Sequence, residues 1–157
     1  MKVLSDILTN IETIKVIGNT EMPVTSIIFD SRKVDLGCLF AAVKGTQIDG
    51  HQFINMAIEK GAKAILCEQL PASLVDEMVY IQVENSSKAL GELASAFYDH
   101  PSSKLKLVGV TGTNGKTTTV TLLYNLIKKL GYSAGLLSTV RNYINDEIIE
   151  ATHTTPD

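Results

Sequence analysis

The chain contains no tryptophan, and its only aromatics are five tyrosines and four phenylalanines. A nucleic-acid surface built on base stacking has little to draw on here. Charge of one sign is also scarce. The net charge is −3, with eight basic against thirteen acidic residues over 1–101 and six against four over 102–157. The small positive surplus of the second stretch is too slight to track a nucleic-acid backbone. Cysteine is limited to Cys38 and Cys67, both in apolar surroundings ("GCLFAAV" and "KAILCEQ"). Buried free thiols in a reducing compartment are expected, rather than a disulfide or metal site. The three histidines, His51, His100 and His153, show no ligand spacing. No run approaches 18 apolar residues, so no membrane-spanning helix is expected. The opening "MKVLSDILTN" places Asp6 before any long apolar stretch, unlike a signal peptide. A cytoplasmic protein is expected.

What is present suits a packed core: 45% hydrophobic and 20% charged residues in a chain of 157. That length serves one ordinary domain or two small ones. The patterns predict an α/β fold. Residues 2–9 read as a short helix, "TSIIF" (25–29) as a strand ending in "DSR", and "CLFAAV" (38–43) as a second strand. The loop "KGTQIDGH" leads to a helix carrying Phe53, Ile54, Ala57 and Ile58, stopped by Gly61. "KAILCE" and "VYIQV" (79–83) are two further strands. Residues 86–99 read as a helix capped by Ser86 or Ser87. "DHPSSK" (99–104) is the best linker. It divides a first domain, residues 1–100, from a second stretch, 101–157. In the latter, 105–110 and 134–140 are expected as parallel strands about a helix, followed by a hairpin through Asn145–Asp146.

The segment "VGVTGTNGKTTT" (108–119) carries the clearest chemistry. It joins an apolar run to the stripe Val120, Leu122, Leu123, Leu126, Ile127 and Leu130, closed by Gly131. A glycine-rich turn into a helix N-terminus offers unpaired N–H groups and a favourable dipole to phosphate. Lys116 adds a point charge, and the hydroxyl after it can ligate Mg²⁺. The match to the common phosphate-loop spacing is imperfect: Val110 stands where the first glycine belongs, Gly109 is one position early, and Gly112 supplies the inner flexibility. The plain alternative is a glycine turn with no ligand. A phosphorylated ligand, ATP first, is the expected occupant.

Three separated motifs, "DSRKVDLGCLFAAVKGTQIDGH", "VGVTGTNGKTTT" and "THTTPD", occur in an order that resembles the Mur ligases, and within them the tripeptide-synthetase branch. The resemblance covers all 157 residues, as a small uridine-nucleotide-binding α/β domain and the first βαβ unit of a P-loop ATPase domain. It implies an ATP- and Mg²⁺-dependent ligase of peptidoglycan synthesis and cell-wall biogenesis. Such an enzyme joins a diamino acid, meso-diaminopimelate or L-lysine, to UDP-N-acetylmuramoyl-L-Ala-D-Glu through an acyl phosphate. A carboxylate is a poor electrophile, and phosphorylation supplies its leaving group.

The resemblance also assigns residues. Gly112, Thr113, Asn114 and Gly115 would give backbone N–H groups to the ATP phosphates. Lys116 would reach the β- and γ-phosphates as the catalytic cation, Thr117 would hold Mg²⁺, and Thr118 would complete the nest. Phe29 and Ser31 would meet the uridine end, with Thr46, Gln47 and Ile48 in a loop closing over it. Thr154 and Thr155, with His153 beside them, would contact the diphosphate and muramoyl sugar. Plainer readings stand beside these: Asp30–Ser31 capping a turn with Arg32 solvated, Asp49 capping the next helix, and a Thr-rich end that is only a loop.

The family's later carbamoylated lysine and its amino-acid-selecting arginine motif lie outside these residues. The 157 residues alone are therefore expected to be inactive and to self-associate through an open sheet edge, whereas the whole enzyme is expected to be a monomer. Competing readings are a relative such as a cyanophycin or folylpolyglutamate synthetase, or a non-catalytic module binding ATP or a uridine nucleotide.

Overall fold

The structure, a computed structural model, describes residues 1–45, 48–144 and 147–150. They divide into two compact units, one on each side of the junction between Leu105 and Lys106.

In the first unit the elements run β1 (Lys2–Val3), α1 (Leu4–Leu8), β2 (Lys15–Ile17), β3 (Pro23–Val24), β4 (Ile27–Ile28) and β5 (Leu39–Ala41). A 3₁₀ turn (Gly50–Phe53) then leads into α2 (Ile54–Glu59), followed by β6 (Ala64–Cys67), β7 (Val79–Gln82) and α3 (Ser86–Phe97). A second 3₁₀ turn, Pro101–Lys104, ends the unit. Five strands form one sheet in the order β2-β7-β6-β5-β4. The pairs β4–β5, β5–β6 and β6–β7 are parallel, whereas β2 closes one edge antiparallel to β7. β1 and β3 make a separate antiparallel pair.

Strand periodicity sorts the core into two halves. Leu39, Ala41, Ala64, Leu66, Val79 and Ile81 cluster with Leu4, Ile7, Ala89 and Leu93 of α1 and α3. The alternate residues Phe40, Ile65, Cys67 and Tyr80 cluster with Ile54 and Ala57 of α2. The central strands are covered on both faces, which is why they read as unbroken apolar runs. Cys38 and Cys67 are buried free thiols in the second cluster. Burial pushes both thiols up, that of Cys67 to about 11.

The structure moves several expected boundaries. The helix expected over 2–9 is five residues long, because Lys2–Val3 pairs with Val24 and Pro23 instead. The strand expected over 25–29 shortens to Ile27–Ile28. The cap of α3 is Asn85, whose side chain accepts from the Lys88 amide at 2.8 Å. Ser86 lies inside the helix and is fully buried.

The second unit contains α4 (Lys116–Lys129), β8 (Gly135–Leu136), β9 (Arg141–Ile144) and β10 (Glu147–Glu150). Here the expected crossover is corrected: residues 106–110 form no strand, and β8 pairs antiparallel with β9. β9 and β10 pair antiparallel with Ile144 opposite Glu147, while the expected turn residues Asn145–Asp146 lie outside the described residues. Leu136 is the only buried apolar residue among those described in this unit. Among the described residues no helix is long and apolar enough to cross a membrane.

Candidate functional site

The first candidate site is the α4 N-terminus. Gly115 is its N-cap with φ of +79°, and Gly112 has φ of +148°, so both adopt backbone that L side chains rarely enter. Gly109 shows neither a positive φ nor any neighbour that a Cβ would meet, so nothing in this unit demands glycine there. The flexible inner position is therefore Gly112. No side chain caps α4, and the Thr119 amide bonds the Gly115 carbonyl at 2.9 Å. The amides of Lys116, Thr117 and Thr118 precede that first helical bond and face outward at the positive end of the dipole. The Lys116 ammonium folds back onto the carbonyls of Gly112 and, at 3.3 Å, Thr113. The Thr121 hydroxyl donates to the Thr117 carbonyl at 2.7 Å. Residues 111–119 are all exposed. The donor set of an uncapped first turn, two glycines and the Lys116 cation fits a polyphosphate. Thr117, at the second helical position, is the hydroxyl that could join an accompanying Mg²⁺.

The second candidate site lies where the parallel strands of the first sheet end. Register puts Ile28 beside Phe40, so the segments leaving β4 and β5 emerge side by side at one sheet edge. Phe29 is 48% exposed there and Ser31 only 8%. Asp30 turns the chain: its carboxylate accepts from the Arg32 amide at 3.0 Å and pairs with the guanidinium at 2.8 Å. That guanidinium holds the Asp30 carboxyl far below its ordinary value. The plainer reading of Asp30 as a turn cap therefore describes its geometry, and Arg32 is largely solvated. Ile48 is 59% exposed, and its carbonyl accepts from the Gly45 amide. Thr46 and Gln47, like His153, Thr154 and Thr155, lie outside the described residues.

The same unit holds a polar joint that sequence reasoning did not assemble. Asp49 caps the 3₁₀ turn, accepting from the His51 amide at 3.0 Å and meeting His51 Nδ1 at 2.6 Å. The Glu68 amide donates to His51 Nε2 at 2.9 Å and the Gln69 amide at 3.3 Å. Nε2 is thus an acceptor, and the ring proton resides on Nδ1, directed at Asp49. Glu68 Oε1 accepts from the Ser86 amide and hydroxyl at 2.9 and 2.8 Å. These donors lower the Glu68 carboxyl, as the His51 amide and ring lower Asp49. Glu68 closes an apolar strand at the carboxyl end of a parallel sheet, a position that could have flagged it. Its partner Ser86 is 18 residues away, beyond any local pattern.

Two family models match the chain. The "Mur ligase family, catalytic domain" matches residues 23–98, and the "Mur ligase middle domain" matches 110–157. The chain belongs to the Mur ligase family. More particularly, it is similar to UDP-N-acetylmuramoyl-L-alanyl-D-glutamate–2,6-diaminopimelate ligases. It is 57% identical to that of Bacteroides fragilis over 154 residues and 58% identical to that of Cytophaga hutchinsonii over 155. Each match covers 98% of this chain and 32% of the relative, so the chain spans about a third of their length. A solved ligase of the same name superposes with a TM-score of 0.72 at 27% identity, over 99% of this chain and 31% of its own. The MurF ligase of Thermotoga maritima, solved with ADP, superposes with a TM-score of 0.52 at 37% identity, over 68% of this chain and 24% of its own.

Proposed function

We propose that this chain is the nucleotide-gathering part of an ATP-dependent ligase that adds 2,6-diaminopimelate to UDP-N-acetylmuramoyl-L-Ala-D-Glu. The observation that carries the reading is the uncapped first turn of α4 with Lys116 poised above it, in a chain more than half identical to ligases of that name. The relatives' names favour diaminopimelate over lysine as the added amine. ATP supplies the phosphoryl group that activates the D-glutamate carboxylate, and Mg²⁺ offsets its charge. Gly112 to Gly115 wrap the loop closely around the phosphates, and the amides of residues 116–118 orient them. Lys116 exchanges two neutral carbonyls for phosphate oxygens, neutralising charge that grows during transfer. At the other site, Phe29, Ser31 and the loop containing Thr46, Gln47 and Ile48 take the uridine end. Thr154 and Thr155, next to His153, take the diphosphate and sugar. We assign the reaction to the cytoplasm.

Ligation measured on this chain in continuity with the remaining two-thirds of the ligase tests the assignment. Lys116→Ala should lower turnover by roughly 10²–10³-fold, the scale on which one transition-state charge contact acts. Equal ATP-dependent ligation by variant and parent would sink it.

A further inference from the structure

The ten-residue connection from β4 to β5, residues 29–38, joins two parallel strands without a helix. Parallel neighbours normally need a longer crossover, so something must hold so short a connection. Part of the restraint is local: the Lys33 amide bonds the Asp30 carbonyl at 2.9 Å, and the Ser26 hydroxyl bonds Asp35 at 2.8 Å. Thr25 holds the far end as well, its amide bonding the Gly37 carbonyl and its hydroxyl the Leu36 carbonyl, both at 3.1 Å. A further hold comes from the end of α2, which Ile54 and Ala57 seat in the core. The carbonyl of Gly61 accepts from the Gly37 amide at 2.9 Å, gripping the far end of the connection. The ammonium of Lys60 donates to the Ser31 carbonyl at 2.9 Å and the Arg32 carbonyl at 3.4 Å, gripping the near end. A cation on two carbonyls makes stronger bonds than a neutral donor would.

We propose that Lys60 is a positioning residue for the uridine site: by fixing the Ser31 and Arg32 carbonyls to α2, it sets how the Ser31 side chain and the Phe29 ring meet the nucleotide. This rests on the reading that residues 29–31 take the uridine end. Lys60 touches no ligand in this role. Its chemistry is a restraint on backbone, so it should be replaceable by another cation of similar reach and by little else.

The test uses the 157-residue chain with UDP as probe, followed by backbone NMR, together with hydrogen exchange in the absence of UDP. Lys60→Met should weaken UDP binding roughly fivefold, the worth of about one hydrogen bond. Lys60→Arg should recover most of that loss. In a Ser31→Ala background the further loss from Lys60→Met should largely vanish, because the lysine acts through that segment. Without ligand, Lys60→Met should speed exchange of the Lys33 amide and leave the α2 amides unchanged. Parent-like binding by Lys60→Met, no recovery with arginine, or fully additive losses would each overturn the proposal. If the parent shows no UDP response at residues 29–33, the uridine reading fails, and with it the role assigned to Lys60. The exchange result would then show whether the restraint itself exists.

Discussion

Two helices of this chain follow apolar segments, and their first turns are finished in opposite ways. At α3, the Asn85 side chain takes the Lys88 amide, and the Glu68 carboxylate takes the Ser86 amide. At α4, the cap is Gly115, which has no side chain to offer. The dipole and the unpaired amides are the same physics in both. In α3 the protein supplies its own anion and gains a structural joint. In α4 no side chain takes them. A helix N-terminus is therefore informative about binding only once its capping is known. The contrast extends to the units that carry the helices. Every buried apolar residue among those described, except Leu136, belongs to residues 1–105.

The largest effect expected from this contrast is in stability. Leu66→Ala, at a fully buried site between β5 and β7, should cost about 2–5 kcal/mol. Leu126→Ala, at a 54% exposed residue of α4, should cost under about 1 kcal/mol. Urea unfolding read by NMR signals from each unit measures both. Similar costs would erase the distinction between the two units in apolar burial among the described residues.

Acid should separate the units next. Asp30, Asp49, Glu68 and Asp99 all have lowered carboxyl values, Asp99 through the ammonium of Lys2, and all lie in the first unit. A carboxylate lowered on folding stabilises above its unfolded value and loses that contribution as pH falls through the folded one. The first unit should therefore weaken as pH drops below the ordinary values of 3.8 and 4.5, and the described part of the second should respond less. The exposed pairs are screened, so Glu68 at the α3 terminus should dominate. Unfolding midpoints at pH 7 and pH 3.5 for the parent and Glu68→Gln provide the check. A variant as acid-sensitive as the parent would remove Glu68 from the account.

The smallest effect concerns the cap itself. Asn85→Ala should destabilise the first unit by about 1 kcal/mol and leave the α4 amides untouched. A loss shared by both helices in an exchange experiment would mean that the two N-termini are coupled.

Much of this was legible because it is periodic or local. β5, β6 and β7 announce themselves as apolar runs, and Gly61 and Gly131, both with positive φ, end α2 and α4 as expected. Asp49 caps the turn after it within two residues. The glycine turn before α4 was legible because Gly112 and Gly115 stand where its backbone takes positive φ. What sequence concealed depends on distant partners. β2 is a three-residue edge strand whose place is set by β7. Ser86 resembles a cap, but burial beside Glu68 gives that task to Asn85. Lys60 carries no signal at all until α2 places it over the Ser31 turn. Residues 105–110 have strand composition, yet a strand exists only with a neighbour to pair with.

The pairing of β2 with β7 has a consequence for synthesis. Lys15 lies opposite Gln82, and both cores need strands placed between them in the sheet but made between them in time. A chain emerging from the ribosome N-terminus first must keep "KVI" unpaired until β5, β6 and β7 have followed. During that interval the apolar runs 38–43 and 64–67 lack α3, the last of their covering helices. The first unit can close only after α3 has appeared, and by then the glycine loop is close behind. Nascent chains halted shortly before Gln82 should accordingly be open to protease, and those extended well past Phe97 should not.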